Sequence, residues 1–373
     1  MIYLDNAATT KPNDIAIEKS KDFIFENYFN PSARYHGGVV ANNKIKTARE
    51  TISKLIGSDF DVIFTSCGSE SNNTAVISYA KRGNAVTSLG EHSAIFAPFT
   101  ELKNKGYDAR FVKINNDGSV NEEDFLSKID NNTVFVSIVH VNNETGAIND
   151  INKLSYLAKK INPNLIFHSD GVQAFGKIPV KLSSNIDLYS VSAHKIGGLK
   201  GVGALIKNKK LKNLKPLILG GGQEGGLRSG TENVFGISVF EQASKIYYSN
   251  IKENFNYVTK LKTMFLSELN GEIFTVISSE NASPYVLSIS AKGLRGEVLQ
   301  HMLETDGVIV GTGSACSSKN PHSRVLKEAG YNKDVLDGVI RVSFSPYTTE
   351  EEVKIAVNLI NEKAIQLKGT MKV

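Results

Sequence analysis

Between residues 61 and 207, short β-branched apolar runs alternate with longer amphipathic stretches, and this alternation constrains the fold most. The runs are 61–66, 85–89, 109–114, 133–141, 165–170, 188–193 and 203–207. Of the intervening stretches, 151–161 has helical spacing. Upstream, Ile45, Ala48, Ile52, Leu55 and Ile56 recur at spacings of three and four before Gly57, which predicts a helix ending there. Parallel strands need a crossover connection, so strands separated by helices tend to run parallel. Residues 15–250 are therefore expected to form a large α/β domain, a mainly parallel sheet flanked by helices.

Past residue 250 the pattern changes. A polar helix at 251–269 precedes strand-like runs at 274–278, 286–291 and 339–345. Thr348 and Thr349 stand three residues before Glu351 and Glu352, a capping-box pattern that opens a last helix striped by Val353, Val357, Ile360, Ala364 and Leu367. These features predict a smaller C-terminal α+β domain over 251–373; residues 1–14 are expected, separately, as an N-terminal segment that packs with it. A chain of 373 residues is long enough for two such domains.

Composition narrows the function classes. With 41% hydrophobic and 22% charged residues the chain is neither disordered nor fibrous. The net charge of +5 is spread thinly, and its densest stretch (Lys207, Lys209, Lys210, Lys212, Lys215) has no interleaved aromatics. That stretch reads as solvated surface, and no direct nucleic-acid partner is expected. Two cysteines, Cys67 and Cys316, exclude a disulfide framework, and no Cys or His spacing suggests a metal. The first residues lack a signal-peptide pattern, and the most apolar run is too short to span a bilayer. A soluble, cytoplasmic protein without a membrane partner is the expectation.

Several strand ends carry polar residues where α/β proteins bind ligands. The run 61–66 leads into Cys67-Gly68-Ser69-Glu70-Ser71-Asn72 and a helix start, which suits either an anion cradle or an ordinary cap. The run 165–170 ends at Asp170, followed by Gly171-Val172-Gln173; the acid can cap a helix or pair with a protonated ring nitrogen. Lys195 closes Ser192-Ala193-His194-Lys195 before a glycine-rich segment, as a surface lysine or a Schiff-base lysine. An anion site, a carboxylate and an amine, in that order, are what pyridoxal 5'-phosphate requires.

The chain carries a longer set of motifs in order. They are Tyr3-Leu4-Asp5-Asn6-Ala7-Ala8-Thr9-Thr10, Asn30-Pro31-Ser32, Phe64-Thr65-Ser66, Glu70-Ser71-Asn72, Glu91-His92, and His140-Val141-Asn142-Asn143-Glu144-Thr145-Gly146. Asp170 with Gln173, Ser192-Ala193-His194-Lys195, Arg228-Ser229-Gly230-Thr231, Gly313-Ser314-Ala315-Cys316 and Ile340-Arg341 complete it. On these motifs the chain resembles the NifS/IscS-type cysteine desulfurases of the class V aminotransferase family, over essentially its whole length.

The resemblance implies the fold of the type I pyridoxal-phosphate-dependent transferases and a homodimer. It implies that Lys195 holds the cofactor and shuttles protons, and that Asp170 keeps the ring nitrogen protonated. Gln173 and Asn143 would bond the phenolic side, and His92 would stack on the ring with a possible acid–base role. Gly68, Ser69, Ser192 and His194 would bind phosphate, while Thr231 would reach the phosphate of the partner subunit. Arg341, with Asn143 beside it, would bind the substrate carboxylate. Cys316 would attack the sulfur of L-cysteine, leaving L-alanine and a persulfide destined for an acceptor or iron–sulfur scaffold protein, for cluster assembly or other thio-cofactor and tRNA thiolation.

Selenocysteine lyase, plain class V aminotransferase and non-catalytic sulfur carrier remain as alternatives. Three departures from the family pattern stand out. Cys67-Gly68-Ser69 replaces the usual Gly-Ala-Thr, with Cys67 expected as a small buried thiol. The loop after Cys316 is about a residue short of the family's, and the long C-terminal tail of some relatives is absent, which leaves the docking of a partner open.

Overall fold

The computed structural model describes residues 1–57, 59–179, 181–312 and 322–370. Its strands, in chain order, are β1 (Ile2–Leu4), β2 (Phe60–Thr65), β3 (Asn84–Ser88), β4 (Ala109–Val112), β5 (Thr133–Ser137) and β6 (Ile166–Asp170). They continue with β7 (Leu188–Ser192), β8 (Gly203–Asn208), β9 (Phe274–Val276), β10 (Leu287–Ala291), β11 (Val308–Val310) and β12 (Val339–Val342). A seven-stranded sheet has the order β2-β8-β7-β6-β5-β3-β4. Within it β8 alone runs against its neighbours.

Both faces of this sheet are covered, and the sequence shows why they must be. Val62 and Phe64 enter one apolar cluster, while Ile63 between them enters another. The same division separates Val86 from Ala85, Val136 from Phe135, and Ile206 from Leu205. Successive strand residues point to opposite faces, so consecutive apolar residues demand a helix layer on each side. The helix His36–Ile56 supplies Ala41, Ile45, Ala48, Ile52 and Ile56 to one cluster. Helices Gly68–Tyr79 and Ser93–Asn104 supply Val76, Ile95 and Phe99 to the other.

The smaller sheet, β12-β10-β9, is antiparallel. Beside it β1 pairs in parallel with β11, and Leu4 enters the apolar cluster of the C-terminal segments. Helices Ile251–Glu268 and Glu350–Thr370 pack there through Leu261, Phe265, Val357 and Ile360. Of the two expected capping pairs, Thr349 and Glu352 form the box. The Thr349 N–H donates to Glu352 Oε2 at 2.8 Å, and the Glu352 N–H donates to Thr349 Oγ1 at 3.1 Å.

The expected strand 133–141 stops at Ser137. Beyond it the Val139 N–H turns to Glu91 Oε1 at 2.8 Å, while the Ile138 and His140 N–H groups still bond the His168 and Asp170 carbonyls of β6. The run expected at 339–345 likewise stops at Val342, before Ser343 bonds the N-terminal segment. No helix among the described residues is long and apolar enough to cross a membrane. The layout that matters is the convergence of the carboxyl ends of β2, β6 and β7, which opens a cavity at one edge of the large sheet.

Candidate active site

One wall of the cavity is an anion cradle. After β2 the chain passes through Cys67, extended at φ −173° and ψ 170°, into the 12-residue helix Gly68–Tyr79. The first N–H groups of a helix lack intrahelical partners and carry the positive end of its dipole, so they favour an anion. Gly68 leaves no room for a side chain: a Cβ there would stand 2.7 Å from Val172 Cγ2. Ser192, at the end of β7, lines the same wall, and its buried hydroxyl has no partner among the described residues. His194 bonds Thr9 Oγ1 through Nδ1 at 3.1 Å. Burial, then Lys195 beside it, pulls His194 down to about 4, so the ring is neutral at pH 7. Cys67 also lines the cavity and is half-buried, which corrects the expectation of a buried thiol; an extended residue before a helix opening onto a cleft cannot be fully covered.

The opposite polar groups come from the ends of β6 and β7. Asp170 closes β6 and is 3% exposed. Its Oδ1 accepts the Val172 N–H at 3.0 Å, and its Oδ2 accepts Asn72 Nδ2 at 2.7 Å. Lys195 follows β7 in a single helical turn, Ala193–Lys195, and its Nζ donates to the Ala7 and Ala8 carbonyls at 2.7 Å each. Gln173 Nε2 donates to the same Ala7 carbonyl at 2.8 Å. His92 caps the helix Ser93–Asn104, its Nδ1 accepting the Ala94 N–H at 3.1 Å. A ring that accepts at Nδ1 is neutral with its proton on Nε2, and burial, the largest influence, lowers its pKa in the same sense.

Arg341, from β12, is 6% exposed. Its Nη2 meets Asp5 Oδ1 at 2.8 Å and its Nη1 donates to the Asn143 carbonyl at 3.0 Å, while its buried Nε has no partner among the described residues. Gly311 is required beside them, because a Cβ there would lie 2.6 Å from Asp5 Oδ1. Asn72 Oδ1 and Asn143 Oδ1 are buried and likewise without a partner among the described residues. Buried polar atoms are nearly always satisfied, so four such atoms on residues of one cavity call for a polar ligand. An anion cradle, a carboxylate, an amine and a neutral imidazole are the groups that hold pyridoxal phosphate, and the residues present fit it.

An aminotransferase class-V family model matches residues 2–355. A cysteine desulfurase IscS of Dictyoglomus turgidum is 36% identical over 370 residues, covering 96% of this chain and 93% of that protein. The chain belongs to the class-V aminotransferase family, with the cysteine desulfurases. A solved NifS-like protein matches with a TM-score of 0.91 at 35% identity, over 98% of this chain and 100% of that one. SspA, solved in complex with cysteine, matches with a TM-score of 0.80 at 28% identity, over 94% of this chain and 100% of that one. The family uses pyridoxal phosphate, in agreement with the residues of the cavity.

In this class-V chain the cavity brings together Gly68, Ser69, His92, Asn143, Asp170, Gln173, Ser192, His194, Lys195 and Arg341. Thr231 lies elsewhere, exposed beside a neighbouring pocket with Ser66, Glu224 and Arg228. Glu70 fixes that pocket's position. Its carboxylate accepts the Ser66 N–H at 2.8 Å and meets Arg228 Nε at 2.9 Å. Burial pushes Glu70 up, but these bonds outweigh it and hold the carboxyl below its usual range. Cys316 lies outside the described residues. Two site residues had no role in the sequence reading: Asn72, which orients Asp170, and Asp5, which orients Arg341. Both stand inside quoted motifs, so the signal for them was their place within a motif, without any indication of a partner.

Proposed function

We propose that this protein is a pyridoxal-phosphate-dependent cysteine desulfurase that converts L-cysteine to L-alanine and delivers sulfur to an acceptor protein. The observation that carries the reading is the meeting of Lys195, Asp170, the Gly68 helix start and Arg341 in one cavity. Gly68, Ser69, Ser192 and His194 would hold the phosphate, and Asp170, held by Asn72, would keep the ring nitrogen protonated. Neutral His92 would pack on the ring, and Gln173 and Asn143 would bond its oxygen side. When bound, the cofactor supplies an electron sink for bond breaking at the amino acid carbons. Lys195 is the covalent anchor and, once its amine is released, moves the proton at the substrate Cα.

Arg341 fixes the substrate carboxylate through its Nε, a planar donor that lysine lacks and that has no partner among the described residues. The Cys316 thiolate then attacks the substrate sulfur. The new S–S bond forms as the Cβ–S bond breaks, leaving alanine and a Cys316 persulfide. Transfer of that sulfur to an acceptor or scaffold protein for iron–sulfur cluster assembly, or for other thiolation, restores the thiol. The small polar segment around Cys316 suits delivery to a second protein. A homodimer completes each site with Thr231 of the other subunit, and the compartment is the cytoplasm.

The test is reconstitution. Purified protein with pyridoxal phosphate should show a band near ~420 nm, the general property of the cofactor joined to a lysine. It should form alanine and, with a reductant, sulfide from cysteine. Cys316→Ala should keep the band and lose sulfide release. A protein that stays colourless with added cofactor, or a Cys316→Ala protein that still releases sulfide, overturns the reading.

A further inference from the structure

Lys177 is a buried cation with no part in the scheme above. It lies four residues beyond Gln173, in the turn after β6, and is 3% exposed. Burial of a lysine amine is costly unless something accepts its protons. Here Nζ donates to Gln173 Oε1 at 3.0 Å and sits 5.9 Å from the centre of the Tyr285 ring. The charged groups that face it from other segments are Lys195 and Arg341, both cationic.

The Gln173 carboxamide has two ends, and this contact uses one of them. With Oε1 accepting from Lys177, the NH2 end is left to donate to the Ala7 carbonyl at 2.8 Å, the same carbonyl that accepts Lys195 Nζ at 2.7 Å. A continuous line of polar contacts thus runs from Lys177 through Gln173 and Ala7 to Lys195. Reversing the amide would set an oxygen against the Ala7 carbonyl, losing that bond in every state, and an NH2 group against the Lys177 amine, losing that bond whenever the amine is protonated.

We propose that Lys177 is a positioning residue that locks the Gln173 carboxamide with its NH2 edge toward the cavity, presenting a hydrogen-bond donor to the oxygen side of the cofactor. The proposal deepens the cofactor reading above and rests on it. Desolvation first, and the two neighbouring cations after it, bring the Lys177 amine down to about 7. Near neutral pH its replacement by an apolar chain therefore removes the hydrogen bond together with about half a unit of positive charge, and Lys177→Gln, which also lacks the charge, separates the two effects.

A double-mutant cycle on the holoenzyme without cysteine tests this, read in the pH midpoint of the visible band of the bound cofactor. Lys177→Met should move that midpoint by about half a pH unit, a threefold change in the ionisation constant. Gln173→Ala should move it too, and Lys177→Met added to Gln173→Ala should move it no further. Lys177→Gln, which keeps an N–H donor, should recover half or more of the shift; it also gives the reading if the Met variant folds poorly. Equal shifts from Lys177→Met in both backgrounds, or none from Gln173→Ala alone, overturn the proposal while leaving the cofactor reading intact. An unmodified protein that takes up no cofactor removes both.

Discussion

Gly68→Ala is the most exacting test of the anion cradle. Carbon atoms in contact rest about 3.5–4.0 Å apart. The added methyl would stand 2.7 Å from Val172 Cγ2, a shortfall of about 1 Å. Val172 cannot simply turn away, because its χ1 is stiff and its N–H is bonded to Asp170 Oδ1. The helix start must therefore back off from the cavity. Amide bonds to a phosphate, ordinarily ~2.9 Å, would stretch toward ~3.9 Å and out of hydrogen-bonding range. Loss of one bond to a charged group is worth about 1.5–3 kcal/mol, which weakens cofactor binding roughly ten- to a hundredfold. Helix propensity acts in the other direction, favouring alanine by up to ~1 kcal/mol, so unfolding temperature is a poor reporter and affinity a good one. The assay is titration of apoprotein with pyridoxal phosphate, followed by the absorbance of the bound form. Adding Val172→Ala to Gly68→Ala removes the clashing methyl and should restore affinity to within about threefold. Unchanged affinity in the single variant, or no recovery in the double, would refute the placement of the cradle.

Three further outcomes are expected. Lys195→Ala should retain cofactor through the cradle but lower alanine formation by about a thousandfold in a single-turnover assay, the scale of a lost acid–base group; residual turnover within tenfold contradicts its role. Arg341→Lys should raise KM for L-cysteine about tenfold, one charged hydrogen bond, while binding of cysteamine, which has no carboxylate, changes little. An equal effect on both would mean that Arg341 acts structurally. His168 is 0% exposed, with Nδ1 2.8 Å from Ser137 Oγ and Nε2 2.9 Å from Ser190 Oγ, and burial brings it down to about 3. Because its folded pKa is depressed, its stabilisation is whole above about 6.5 and declines as pH falls, by roughly 2 kcal/mol at pH 5. Chemical denaturation at pH 7 and pH 5 should therefore cost His168→Asn about 2 kcal/mol less than the parent over that interval; equal losses refute the assignment.

The alternation of strands and helices was legible because periodicity is local. The helix Ile151–Ile161 is bounded where its apolar spacing begins and ends; β2 deviates from its expected limits by a residue at each end, β6 by one at its start and β7 by one at its end. Lys195, Asp170 and the helix start at Gly68 could be found for a related reason: each follows an apolar strand directly, and strand ends are where such sheets bind. The strand 133–141 ends sooner than expected, and past Ser137 the Val139 N–H bonds the side chain of Glu91, a residue far outside any local window, while bonds to β6 continue.

What the chain order could not state is which distant groups meet. Asn72 reaches Asp170 across 98 residues, and Asp5 reaches Arg341 across 336. Strands β1 and β11 are three residues each, too short for a period, and exist because they pair with one another. The direction of the Gln173 amide was equally hidden, since both of its ends are polar and only their tertiary partners, the Lys177 amine and the Ala7 carbonyl, distinguish them. The sequence by itself determined the elements and the chemical types at their ends, because backbone propensity and side-chain alternation act within a few residues. The tertiary structure alone decided which of those groups are buried together, because desolvation makes a polar contact obligatory only after packing has excluded water.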